Sequence, residues 1–458
     1  MNYRNYFIAI ATGTLITASA LAAPTPEEAK ELGVSLTPMG AEKAGNKDGT
    51  IPAWDGGICK PIAGYKPIKG ASGGAPYPDP FPNEKPLFRI TAANLSKYAD
   101  KIDAGTKELF QRYPNYAMDV YPTHRTACFP NYVYENTIKR VMSPKLVGTA
   151  PGLIGAHAQV PFPIPKSGFE AMWNANLKFE HANTKGDIDA VIVDTGGRVI
   201  KTSYQIVENQ NAYWDNTITS IPEDKPYWSL IARSTYPPSE AGGGQMRHQF
   251  LRTDQKDPVA WSYIPGQRRV RLAPEFSYDT VATTSGGILL FDEINGFDGK
   301  MDKYDFKLIG KKEMYVPYNT YKFSSAPIEE QSTKDFGNVD LLRWELHRVW
   351  VVEGTLKQGQ RHVQQKKIFA LDEDSWSIMT YYGLDSAGKV HHAMQLLPTQ
   401  QYDKPELRTG HYLLYDLNRG IYGNQNKQMG GTNPGFYQVA PYPANYFTPD
   451  SLAGRGIR

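Results

Sequence analysis

The chain has 458 residues, a formal net charge of +3, 12% aromatic residues including 29 Tyr, and 41 Gly and 34 Pro. So balanced a charge offers no field for a polyanion, which argues against nucleic acid as a partner. The aromatic, Gly and Pro content favours many strands and turns over helices, in a chain long enough to bury a sizeable core.

Arg4 precedes the apolar run Tyr6–Leu21, which ends among Ala18, Ala20, Ala22 and Ala23. This pattern predicts a secretory signal peptide over residues 1–23, cleaved after Ala22 or Ala23. No Cys follows that site, so N-terminal lipidation is not expected. The two cysteines, Cys59 and Cys128, most simply form one disulfide in an exported chain, with two free buried thiols as the alternative.

Thr25-Pro26-Glu27-Glu28 predicts a capped helix start, and Gly33 its end. Residues 36–57 are turn-rich and 61–86 proline-punctuated. Thr91 heads a helical pattern with Leu95, Tyr98 and Ile102 on one face; Leu109, Phe110 and Tyr113 follow before Pro114. Another helical piece covers 132–141. From Asp187 the pattern turns to strands: 187–194 and 198–206 around Thr195-Gly196-Gly197, then 245–253. Residues 221–236 read as more helical. Val259–Ile264 and Gln267–Leu272 alternate around Pro265-Gly266, a pair that suits a type II turn, so the loop is expected to be wider than two residues. Residues 307–316 read as another strand, and strands over 341–357, 363–371, 376–384 and 390–397 follow one another through short turns, with 411–417 beyond, which makes a meander.

Enzymatic signatures are missing: there is no G-x-S-x-G, P-loop, dinucleotide fingerprint or H-E-x-x-H. Ser386-Ala-Gly-Lys389 falls in a hairpin turn without companion motifs. His391-His392 on a strand would point to opposite faces and so could not share a metal. Asp292, Glu293, Asn295, Asp298, Asp302 and Asp305 fail the EF-hand spacing and read as a solvated turn, with an irregular calcium loop as the alternative. Arg348 lies among Trp344, Leu346, Trp350 and Val352; a guanidinium there needs either an internal ion pair or a lipid phosphate or carboxylate.

LTPMGAEKAGNKDGTIPAW (36–54), PFPIPKSGFEAMWN (161–174), WSYIPGQRRVRLAP (261–274), KLIGKKEMYVPYN (307–319), RWELHRVWVVEGTLK (343–357) and LDEDSW (371–376) together resemble a bacterial exported family. It is known as domain of unknown function 1329 and is outer membrane lipoprotein-sorting-like. The resemblance covers nearly the whole mature chain. It implies a mainly β (α+β) fold similar to periplasmic lipoprotein carriers: a curved antiparallel half-barrel with helices on its concave face and an apolar cavity between. It also implies envelope traffic beside an inner-membrane efflux-type transporter and an outer-membrane protein, and it carries no established catalytic residues.

The resulting expectation is a periplasmic protein with an N-terminal wrapping segment (24–175) pinned by Cys59–Cys128, a half-barrel (176–423) and an irregular tail (424–458). Its function would be to bind or carry a lipid, a lipoprotein acyl group or another hydrophobic molecule, without catalysis, cofactor or metal. A structural or adaptor subunit of a transporter is the alternative reading, and a hydrolase on an apolar substrate a third. Trp261, Tyr263, Trp344, Leu346 and Trp350 are the expected apolar wall, with Arg348 as a headgroup contact.

Overall fold

The computed structural model describes residues 24–66, 77–429 and 435–454, so the expected signal peptide lies outside the described residues. Thirteen strands make one continuous antiparallel path. They are β1 (Asn183–Val193), β2 (Val199–Asn211), β3 (Trp228–Tyr236), β4 (Gly244–Gln249), β5 (Val259–Ile264), β6 (Arg269–Leu272), β7 (Tyr304–Pro317), β8 (Trp344–Leu356), β9 (Lys366–Asp372), β10 (Ile378–Leu384), β11 (Val390–Leu396), β12 (Tyr412–Asp416) and β13 (Ile421–Lys427). Their spatial order runs from β7 through β13, then from β1 to β6. Two meanders are thus welded where β13 pairs with β1, Tyr422 opposite Val193. The free edges are β6 and β7, and the sheet is open rather than a closed barrel.

The sheet is strongly curved. Ile378 of β10 and Gln249 of β4 line the same cavity, although seven strand spacings separate their strands. In a flat sheet that separation would be about 34 Å.

Both faces of the second meander are covered. Along β12, Tyr412 and Leu414 join the core that contains Trp173, Phe369, Trp376 and Tyr381. The alternate residues Leu413 and Tyr415 join a second core with Leu109, Phe110 and Tyr116. A strand buried on both faces is apolar at every position, which is why this region shows no clean alternation.

Two helices cover these faces. The helix Ala104–Arg112 starts where Asp103 accepts from Thr106 N at 2.9 Å and Thr106 Oγ at 2.8 Å. Gly105 lets it sit on the sheet, because a Cβ there would lie 2.8 Å from the Ala393 Cβ. On the other face, Ser167 caps the helix Gly168–Asn176, accepting from Glu170 N at 3.2 Å. Gly168 packs straight onto the Phe306 backbone, where a Cβ would come within 2.4 Å of the carbonyl.

Several expectations change with the tertiary context. The capping box at Thr25 and Glu28 forms, and the Cys59–Cys128 disulfide is present with Cα atoms 5.5 Å apart. The hairpin loop is indeed wider than two residues, with Ile264 opposite Arg269 and Arg268 left-handed at φ 48°. Residues 228–236, expected as helix, form β3: Leu230 lines the cavity and Ile231 is buried on the opposite face, so period-two contrast is lost. Residues 88–91 form a short strand paired with Ala117–Val120, not a helix cap. The last sheet strand runs past the expected boundary at 423 to Lys427, because Asn424 and Lys427 still pair with β1.

Candidate ligand-binding site

A cavity of about 180 Å³ lies on the concave side of β1 to β4. Its floor comes from alternate residues of those strands: Ser203, Gln205, Val207, Asn209 and Asn211 of β2, Leu230 and Ala232 of β3, and Gln245, Arg247 and Gln249 of β4. Its roof is the connection between the two free edges of the sheet, residues 273–303, which contributes Leu289, Phe291, Ile294 and Phe297. The end of the helix Gly168–Asn176 and Phe436 close the sides.

A second cavity of about 300 Å³ continues under β5 and β6, lined by Val259, Ala260, Leu272, Pro274, Phe276 and Tyr278. The two share Arg247, Phe291 and Asp298. An Arg247–Asp298 ion pair at 2.5 Å, with Gln249 also donating to Asp298, stands between them. Phe276 stacks on Phe291 with ring centroids 4.7 Å apart. Taken as one space, the pair falls in the size range of small-molecule sites.

The roof is latched from within. Asp292 is buried and binds His362 at 3.0 Å and Lys367 at 2.6 Å. Glu293, fully buried, binds His392 at 2.8 Å and accepts from Tyr381 and Gln364. The acidic cluster is therefore not a solvated turn: its first two members are anchors that fix the roof, and their partners come from far along the chain, from β9, β10, β11 and the loop before β9. Burial raises the Asp292 carboxyl, but Lys367 and His362 outweigh it and hold it at about 2. Burial likewise lowers the His392 imidazole, but Glu293 and Asp416 outweigh it and raise it to about 9.

A pH dependence follows. Because the folded value of His392 lies above its ordinary 6.5, its stabilisation is complete below that pH and is lost as the pH climbs through about 9. Stability measured by urea unfolding is expected to fall by about 2–3 kcal/mol over this interval, and His392→Gln should flatten that slope. An unchanged slope in the variant would remove His392 as its source.

His391 and His392 do not point to opposite faces. A register shift between Gly383 and Leu384 bulges the β11 strand, and the two rings stack with centroids 3.9 Å apart. With Asp416 they form a group whose ligand atoms lie within 4.8 Å of one another, as do His347, Asp372 and Asp374. Both groups are engaged by protein partners: His392 by Glu293, and Asp374 by a two-point bond from Arg125 at 2.6 and 2.8 Å.

None of the expected wall residues lines this cavity. Trp261 is opposite Met246 in the register, so it shares the outer face of the sheet with Met246, while Arg247 and Gln249 face in. There Trp261 and Tyr263 pack with Ile231, Tyr442, Phe447 and Leu452, under the C-terminal segment. Trp344 is fully buried and, with Leu346, belongs to the core on the far side of the second meander. Trp350 stacks on Trp376 at 6.1 Å beneath the Lys311 ammonium. Arg348, expected as a headgroup contact, instead binds Glu373 at 2.6 Å and the carbonyls of Glu42 and Ala44 at 3.0 and 2.8 Å. The inward residues of β2 went unread because both its faces are largely polar. The available signal was the long strand itself, carrying Gln205, Asn209 and Asn211 at one parity.

Residues 89–453 match the family model described as protein of unknown function (DUF1329). The chain belongs to this family. The DUF1329 chain is 37% identical over 457 residues to the uncharacterized protein PA3922 of Pseudomonas aeruginosa, covering 97% of both. Among solved structures it is similar to a putative outer membrane lipoprotein-sorting protein domain from Vibrio parahaemolyticus, at 12% identity and TM-score 0.42 over 62% of this chain and 98% of that one. A DUF1329 family protein from Desulfovibrio piger is similar at 12% identity and TM-score 0.42, over 62% and 97%. A LolA superfamily protein from Nitrosomonas europaea is similar at 13% identity and TM-score 0.36, over 62% and 98%.

Proposed function

We propose that this DUF1329 protein is a periplasmic carrier that shields the apolar part of an amphiphile from water, without catalysis. The observation that carries this reading is the cavity pair enclosed by a curved open sheet, with Val207, Leu230, Phe291, Ile294 and Phe297 on its walls and a latched roof. Such an enclosure matters to a transported chain because each exposed CH₂ costs about 0.8 kcal/mol. The N-terminal run Tyr6–Leu21 behind Arg4 supports export. Donor and acceptor would be an inner-membrane efflux-type transporter and an outer-membrane protein.

The test is lipid mass spectrometry on protein purified from periplasm, with displacement of a fluorescent acyl probe. A reproducible ligand and a bound probe are expected. Leu230→Trp, which fills the floor, is expected to weaken probe binding by about tenfold or more. Clean protein that binds no probe would overturn the reading.

A further inference from the structure

The polarity of the floor runs against that of a plain lipid cavity. Ten of the described residues lining the cavity over β1 to β4 carry carboxamides, among them Gln205, Asn209, Asn211, Gln249, Gln425 and Gln428. They are inward by strand parity: Gln205, Asn209 and Asn211 alternate on β2, and Gln249 is directly opposite Trp228 at the start of β3. Polar residues at positions that face a protein interior are unfavourable unless something there uses them. Two of them remain underused. The carboxamide oxygens of Asn209 and Asn211, both 5% exposed, have no partner within the described protein, nor does the hydroxyl of the lining residue Tyr412.

The charges of the lining are already spent. Lys178 pairs with Glu180 at 3.1 Å, Arg247 with Asp298 at 2.5 Å, and Arg408 with Glu406 at 2.7 Å. An anionic or cationic headgroup entering here would have to displace one member of a buried pair and leave the other uncompensated. A carboxamide, by contrast, both donates and accepts, which suits a neutral group that does the same.

Resting on the carrier reading, the geometry points to a ligand with a neutral, hydroxyl- or amide-bearing headgroup held by the carboxamides of β2, β4 and β13, its apolar tail lying along Phe291, Ile294 and Phe297 toward the adjoining cavity. Such heads occur in glycolipids and in acylated peptides, and the test separates the two.

The experiment is calorimetric titration of the full mature protein with single-tailed dodecyl compounds below their critical micelle concentrations. The heads are maltoside, an N-acylated dipeptide amide, carboxylate, phosphate and trimethylammonium. At least one neutral head is expected to bind about tenfold or more tightly than every charged one, and the stronger of the maltoside and the dipeptide names the source. Gln205→Leu combined with Asn209→Leu is expected to erase that preference while the carboxylate still binds. Equal binding of all heads, or tighter binding of a charged head, overturns this inference and leaves the carrier reading standing. Failure of every compound overturns both. The wild-type series decides the matter even where the double variant does not fold.

Discussion

Arg348→Ala is expected to cost the fold about 3–5 kcal/mol and to leave acyl-probe binding by the folded protein unchanged. The guanidinium is 7% exposed and bonds Glu373 at 2.6 Å, while its other end holds the backbone carbonyls of Glu42 and Ala44 at 3.0 and 2.8 Å. Glu373 is 2% exposed and also receives Lys311 at 2.9 Å. Its neighbour Asp374 is held by Arg125, and a third carboxyl, Asp372, is pushed up to about 7 by burial and by Asp374. Removing one cation from such a group leaves a buried carboxylate undercompensated, the costly way to break an ion pair. It also removes the bonds that tie the Glu42 and Ala44 carbonyls to β8. Urea unfolding reads the loss, and probe titration reads the binding. A loss under about 1 kcal/mol, of the size expected for an exposed pair, together with abolished binding would return Arg348 to the role of a ligand contact.

Removing the disulfide has an effect of similar size and a different origin. The double substitution Cys59→Ala and Cys128→Ala is expected to lower stability by about 4 kcal/mol in the chain-entropy account. The bridge closes a sequence separation of 69 residues, so the unfolded chain regains much freedom when it is absent. In the folded state the two segments are also aligned by other contacts: Ile58 N donates to Thr126 O at 3.0 Å, and Gly57 lies so close that a Cβ would meet the Ala127 carbonyl at 2.3 Å. These contacts predict that the variant folds to the same structure but unfolds at lower denaturant. Comparing urea midpoints of the oxidised protein and the variant checks it; coincident midpoints would show that the bridge contributes little.

Four of the six motifs that carry the family resemblance converge on the same ion-paired cluster. Arg348 belongs to RWELHRVWVVEGTLK, Glu373 and Asp374 to LDEDSW, Lys311 to KLIGKKEMYVPYN, and Glu42 and Ala44 to LTPMGAEKAGNKDGTIPAW. Four separated segments are joined there, and loss of Arg348 or Arg125 would strand the buried Glu373 or Asp374. Reading such motifs as ligand contacts mistakes what holds the sheet together for what the sheet holds.

Much of the architecture was determined by the sequence alone. The capping box at Thr25, the wide Pro265-Gly266 hairpin and the successive strands of the second meander follow from local rules, because turn chemistry and period-two patterning act over a few residues. The single pairing open to two cysteines is of the same kind. Only the tertiary structure decided which face of each strand looks inward. Trp261 is apolar and faces out, because the C-terminal segment covers it; Gln205 and Asn209 are polar and face in. Hydrophobicity reports burial, and on a sheet covered from both sides burial does not distinguish a cavity from a core. The bulge that brings His391 beside His392, and the latch from Asp292 and Glu293 to residues 70 and 99 positions away, likewise depend on pairings that no local pattern encodes.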